Sequence, residues 1–253
     1  MSETLAMKGG SPVIKKEFPP WPVWDETDVK AVEGVVRSGV WGVGGPRIRQ
    51  FAEEFGRFQH VRHVLPVANG SLAIDLALEA LGIGEGDEVI VPDYTFMATA
   101  AAPIRRGVKP VFVDVDPDTF CLDSRLVEEA ITWRTKAILP VHLGGHPCDM
   151  TAIMRIAEKY SLFVIEDCAH AHGAIWDGKY VGAMGTVGTF SLQASKTLTC
   201  GEGGLVVTNH DWLVPTCWSI HNAGRAVGEY DYNHYTPGTN YRITELQAAI
   251  LLV

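Results

Sequence analysis

The sequence predicts an α/β fold with a mostly parallel central sheet, and three observations carry that reading. Short apolar, β-branched runs alternate with amphipathic stretches through most of the chain, the pattern of strand–helix units that build a parallel sheet. The runs are continuous rather than alternating in polarity, as happens where helices cover both faces of a sheet. At 253 residues the chain can bury one large core, or a core with a small appendage.

In chain order, an apolar segment at 63–68 comes first, followed by strand candidates at 88–91, 110–115, 137–141, 162–166, 188–192 and 205–208. Helical patterns fall between them at 71–81, 99–106, 126–131 and 151–160. Residues 1–20, with Pro12, Pro19 and Pro20 among them and Pro22 just after, read as an extended arm, leaving 21–253 as one large domain. The final segment, TELQAAILLV at 244–253, reads as the first turns of an apolar helix with no cap or polar tail after it. It suggests a chain truncated within a helix, short of a smaller C-terminal domain.

Charge and composition exclude several functions. A formal net charge of −9 argues against nucleic acid or an acidic membrane as partner, because such partners are held by clustered cations. No stretch reaches the roughly 18–20 apolar residues of a membrane span. Residues 1–20 lack the apolar core of a secretory signal. The five cysteines are widely spaced with no CxxC pair, reading as reduced thiols in a cytoplasmic protein.

Three stretches carry chemistry. Asn69, Gly70 and Ser71 follow an apolar run and open a helix, where free N–H groups and the dipole favour an anion such as a phosphate. Plain capping by Asn or Ser explains the same residues. Glu166 and Asp167 end an apolar strand and precede Cys168, His170 and His172. Active-site groups of open α/β sheets gather at such carboxyl ends. A carboxylate there can keep a pyridinium nitrogen protonated. Cys168, His170 and His172 alternate, and His142 stands four residues before His146, but without HExxH or CxxC no metal is assigned. Third, Lys196 lies between an apolar strand ending near Ser191 and a glycine-rich turn at 201–204. A lone lysine is usually a solvated charge. An amine placed in a desolvated cleft instead loses basicity and becomes a Schiff-base nucleophile.

The ordered motifs NGS, PDYTFMAT, VIEDCAHAHGA, FSLQASK with GEGG, and GTNYRITELQAA resemble the DegT/DnrJ/EryC1/StrS aminotransferases of the fold type I pyridoxal 5'-phosphate (PLP) class. The resemblance runs from about residue 18 to the last. It implies that Lys196 holds PLP as a Schiff base and shuttles the proton, that Asp167 pairs with the pyridine nitrogen, and that His170 approaches the phenolic oxygen. It implies that Phe96 stacks on the ring and that Gly70, Ser71, the Leu72 amide and Ser191 form the phosphate site. Asn240 would reach the phosphate of a neighbouring subunit, implying a homodimer, and Arg242 would bind an acidic substrate group.

The lysine motif is most similar to the branch acting on keto-cyclitols such as scyllo-inosose, and to 3-amino-5-hydroxybenzoate synthases. The reaction implied is transfer of an amino group from glutamate or glutamine to a keto-sugar or keto-cyclitol. Two alternatives stand beside it: a PLP-dependent enzyme that eliminates water, and a cofactor-binding regulatory protein without turnover. A nicotinamide-binding domain lacks its GxGxxG after the first strand.

Overall fold

A computed structural model describes residues 4–253. Residues 4–25 run largely exposed, with one 3₁₀ turn at Ala6–Lys8. Two helices follow, α1 (Glu26–Ser38) and α2 (Pro46–Gln59). The body then runs β1 (His63–Val67), α3 (Gly70–Ala80), β2 (Glu88–Pro92), α4 (Ala98–Arg105), β3 (Lys109–Val113), α5 (Ser124–Val127) and β4 (Thr135–Ile138). It continues as α6 (Met150–Tyr160), β5 (Phe163–Asp167), the short hairpin β6 (Ile175–Trp176) and β7 (Lys179–Tyr180), β8 (Val187–Ser191), β9 (Gly204–Thr208), α7 (Val214–His221) and α8 (Glu245–Leu251).

Seven strands form one sheet in the order β1-β9-β8-β5-β4-β2-β3. Only β9 runs antiparallel to its neighbours; β8, β5, β4, β2 and β3 pair in parallel. Because β9 opposes both β1 and β8, those two strands point the same way. The carboxyl ends of β1, β2, β5 and β8 therefore lie along one edge of the sheet, and the strand order departs from chain order between β1 and β8. Ligands of open α/β sheets bind at such a place.

Both faces are covered, and successive residues of one strand serve different cores. Val89 and Val91 join Leu76, Leu78 and Val206 under α3 and α4. Ile90, between them, joins Ile138, Ile153, Ile156 and Val164 under α6. Leu205 and Val207 join Phe51, Phe55 and Phe190 under α2. This two-sided burial explains why the strands read as unbroken apolar runs.

Several elements depart from the sequence expectation. The 63–68 segment becomes edge strand β1, which tolerates Pro66 because at that residue only the β9 flank is paired. The 126–131 pattern shortens to the single turn α5 and a 3₁₀ turn at Glu128–Ala130. The sequence pattern does not predict helices α1 and α2. In α1 only Val35 is buried, so its apolar stripe is faint, although Asp25 and Asp28 form a capping box at its start.

Candidate functional site

The junction of β1 and α3 builds the first part of the site. Asn69, extended in backbone, caps α3 by accepting the Leu72 amide on its Oδ1 at 2.9 Å. The cap is thus Asn69 rather than Ser71. It also engages the Leu72 amide, so among the described residues the amides of Gly70 and Ser71 are the ones left open at this helix N-terminus. Gly70 lies hard against the end of β8: a Cβ there would come within 2.9 Å of Ser191 Cβ. Glycine is needed for that close approach. The result is a cradle of open amides, the Ser71 hydroxyl and the buried Ser191, a donor set suited to a phosphate.

The carboxyl end of β5 supplies the acids. Strand alternation sends Glu166 and Asp167 to opposite sides. Glu166, fully buried, accepts from the amides of Gly182 (2.7 Å), Met184 (2.9 Å) and Gly185 (2.6 Å) and faces His142 Nε2 at 3.2 Å. His142 Nδ1 in turn accepts from the Cys148 amide at 3.0 Å. Glu166, His142 and Cys168 lie close enough to suggest a metal cluster, but these hydrogen bonds already engage both Glu166 oxygens, and the group reads as a packed internal network.

Asp167 has the other role. It is 6% exposed, with Oδ2 accepting the Thr99 hydroxyl at 3.1 Å and Oδ1 accepting the Ala169 amide at 3.1 Å. Thr95 bonds Thr99 at 2.9 Å, extending the chain toward Phe96. Burial raises the Asp167 pKa, against the pull of these donors and of His142 and His170. Thr99 carried no signal in the sequence beyond its place in PDYTFMAT, although a buried hydroxyl one helical turn after Thr95 could have been marked for partner-seeking.

Lys196 sits in the turn between β8 and β9, its amide donating to Gln193 O at 2.8 Å. Burial lowers the Lys196 pKa, while Asp167 pulls it back up. His170, which accepts the Gly144 amide on Nδ1 at 3.3 Å, has its pKa lowered first by burial and then by Lys196. Lys196, Asp167 and His170 therefore feel one another's charge, as groups around one cleft do. His172 has Nδ1 3.3 Å from the Thr197 hydroxyl, Nε2 buried with no partner among the described residues, and a pKa pushed down to about 4, chiefly by burial.

Phe96, just after β2, is 68% exposed, its ring free to receive a flat ligand. Asn240 and Arg242 are placed differently. Tyr241 O accepts the Ala68 amide at 2.7 Å, so their backbone runs beside the β1–α3 junction. Asn240 is exposed and accepts its own chain's Arg242 amide at 3.2 Å. The Arg242 guanidinium bonds Asn222 Oδ1 at 3.0 Å and lines a cavity of about 240 Å³ with Arg49 and Trp218, whose walls include none of Lys196, Asp167 or His170. A larger cavity, about 1030 Å³, opens among Trp176, Thr186 and Asn209 at the opposite end of the strands. Size does not locate this site; the chemistry does.

The profile of the DegT/DnrJ/EryC1/StrS aminotransferase family matches residues 22–253. The chain belongs to that family. Among solved family-like structures, 3-amino-5-hydroxybenzoic acid synthase superposes with a TM-score of 0.90 at 39% identity, over 93% of this chain and 62% of that one. NtdA of Bacillus subtilis, solved with the cofactor PMP, gives 0.84 at 37% identity over 90% and 51%. Of the curated relatives, the L-glutamine:2-deoxy-scyllo-inosose aminotransferase of Streptomyces paromomycinus is 41% identical over all of this chain and 63% of its own length. That of Streptomyces lividus is 42% identical over 99% and 63%. The chain spans a little under two thirds of the length of these relatives. The fold is that of the fold type I PLP aminotransferases.

Proposed function

We propose that this chain is the cofactor-holding part of a PLP-dependent aminotransferase that moves an amino group from glutamate or glutamine to a keto-cyclitol or keto-sugar. One observation carries the reading: a half-buried lysine of lowered basicity shares a cleft with a buried aspartate, at the carboxyl ends of strands and beside an open helix N-terminus. The donor set fits the group. The Gly70 and Ser71 amides with the Ser71 and Ser191 hydroxyls suit its phosphate, Asp167 suits a pyridinium nitrogen, and Phe96 offers a ring face. The family's relatives named for inosose substrates support the acceptor class.

Lys196 would hold PLP covalently through its amine. Bound, the group supplies an electron sink for charge developed beside the amino nitrogen. Lowered basicity keeps more of the Lys196 amine neutral, so it could form the covalent link to PLP and, once released, carry a proton between the substrate carbon and the group. Asp167, held by Thr99 and Ala169, would keep a proton on the ring nitrogen. His170 would donate to a ring oxygen. Asn240 would complete the phosphate site of a second subunit, and Arg242 would bind an acidic substrate group. We read residues 21–253 as the large domain and 1–20 as the arm, of which 1–3 lie outside the described residues.

The test is reductive labelling. Borohydride treatment of the chain with PLP is expected to leave the pyridoxyl label on Lys196, read by peptide mapping, and none on Lys196→Ala. A label on Lys179 instead overturns the assignment. Incubation with glutamine and a panel of inososes and keto-sugars, read by product mass, separates transfer from water elimination and from binding without turnover.

A further inference from the structure

The turn that carries Lys196 is largely built on itself. Ala194 N donates to Gly201 O at 2.9 Å, and the Cys200 amide and Thr199 hydroxyl both reach Leu192 O, at 3.2 and 3.0 Å. Ser195 bonds the Gln193 side chain through both its amide and its hydroxyl, at 2.8 and 2.7 Å. These bonds fix the shape of the turn but not its attitude toward the cleft. Gln247 of α8 holds the far end of the turn, its Nε2 donating to Glu202 O at 2.6 Å, and near Lys196 two side chains from outside set that attitude. One is Thr197 with His172. The other is the indole of Trp21, whose Nε1–H donates to Ala194 O at 2.7 Å across 173 residues of sequence.

That second bond has two unusual features. Among the described residues it is the only hydrogen bond that residues 4–24 make to any later part of the chain. It is also a bond without much packing behind it. Trp21 is 53% exposed, and its neighbours Phe18 and Trp24 are 79% and 67% exposed. An indole that served only as an apolar filler would be covered. This one is held by its N–H. The outside contacts nearest the lysine fall at Ala194 and Thr197, on either side of Lys196, so together they set the direction in which the turn presents the amine.

We propose that Trp21 is a positioning residue for Lys196, its indole N–H holding the Ala194 carbonyl so that the turn keeps the lysine in the cleft. The proposal rests on reading Lys196 as the cofactor-holding lysine, but the bond itself can be tested without cofactor. A neutral hydrogen bond of this kind is worth a factor of about five in an equilibrium. Trp21→Phe removes the donor and keeps an aromatic ring.

The experiment uses limited trypsin digestion of the cofactor-free chain, with peptide masses reporting the cut after Lys196 against the cut after Arg134, an exposed reference in the loop before β4. Trp21→Phe is expected to speed the Lys196 cut about fivefold while leaving the Arg134 cut and the thermal midpoint unchanged. Titration of the visible absorbance after adding PLP is then expected to show a midpoint moved to higher pH, since a loosened amine is better solvated. Unchanged cutting at Lys196, or equal acceleration at both sites, overturns the proposal. A faster Lys196 cut with no absorbance from PLP in either protein upholds the tether and overturns the cofactor reading instead.

Discussion

Asp167 shows how much one residue's role depends on its neighbours. Burial raises its pKa, so the cofactor-free protein bears a cost for the charged carboxylate. That cost is absent at low pH and appears as pH rises through the folded pKa, because a raised carboxyl binds more protons folded than unfolded. Asp167→Asn keeps the shape and the bonds to Thr99 and Ala169, so the cofactor-free variant is expected to melt no lower than the parent at neutral pH. With PLP and an amino donor it is expected to bind the cofactor yet slow proton removal by orders of magnitude, since a neutral amide cannot keep the ring nitrogen protonated. Stopped-flow absorbance and thermal melting check the two halves. A stability loss with normal rates would make Asp167 a structural residue. The adjacent acid, Glu166, was equally visible in VIEDC, but strand alternation turns it into the core, where three backbone amides and His142 hold it.

At the scale of elements, α3 is the piece on which the anion cradle depends. Its face is almost wholly apolar, with Ala73, Leu76, Ala77 and Leu78 fully buried. Its start is set by one side chain, Asn69. Asn69→Ala is expected to cost about 1 kcal/mol, measured as a lower urea midpoint with unchanged slope. An unchanged midpoint would show that packing alone sets the helix start. This helix was legible because its apolar content is high and its cap is a preferred type. Helices α1 and α2 were not, because α1 buries only Val35 and α2 carries seven charged or amide side chains on its fourteen residues. Their faces make sense only against elements far along the chain: the Glu245 carboxylate of α8 accepts the amides of Arg47 and Ile48, both at 2.9 Å, at the start of α2.

For the whole molecule, two inner histidines tie stability to pH. Burial pushes His172 and His221 from 6.5 down to about 4. Depressed pKa values mean the unfolded chain binds more protons between pH 4 and 6.5, so stability is full above 6.5 and lost as pH falls through that window. Each histidine contributes up to about 3 kcal/mol to that loss. Urea unfolding at a series of pH values is expected to show the decline, and replacing both histidines by glutamine to flatten it. The proposed dimer is tested at the same scale. Because a two-fold interface lends the same patch twice, mixing full-length Lys196→Ala and Asn240→Ala subunits is expected to restore activity that neither parent shows. Subunits that exchange without recovery would confine the site to one chain.

Local features were legible in the residues alone: the apolar runs that became β2, β3, β4, β5, β8 and β9, the helix at α3, and the ordered motifs around Asp167 and Lys196. Periodicity and caps are properties of neighbouring residues, so spacing reveals them. Tertiary structure alone decided the antiparallel direction of β9, the Thr99 bond to Asp167, the turning of Glu166 into the core, and the side chain of Arg242 facing a cavity away from Lys196. It also decided that an indole near the start of the chain holds a carbonyl 173 residues later. Such pairings join residues whose separation along the chain carries no period. They are set by which strands lie side by side, and that order follows from burying both faces of one sheet at once.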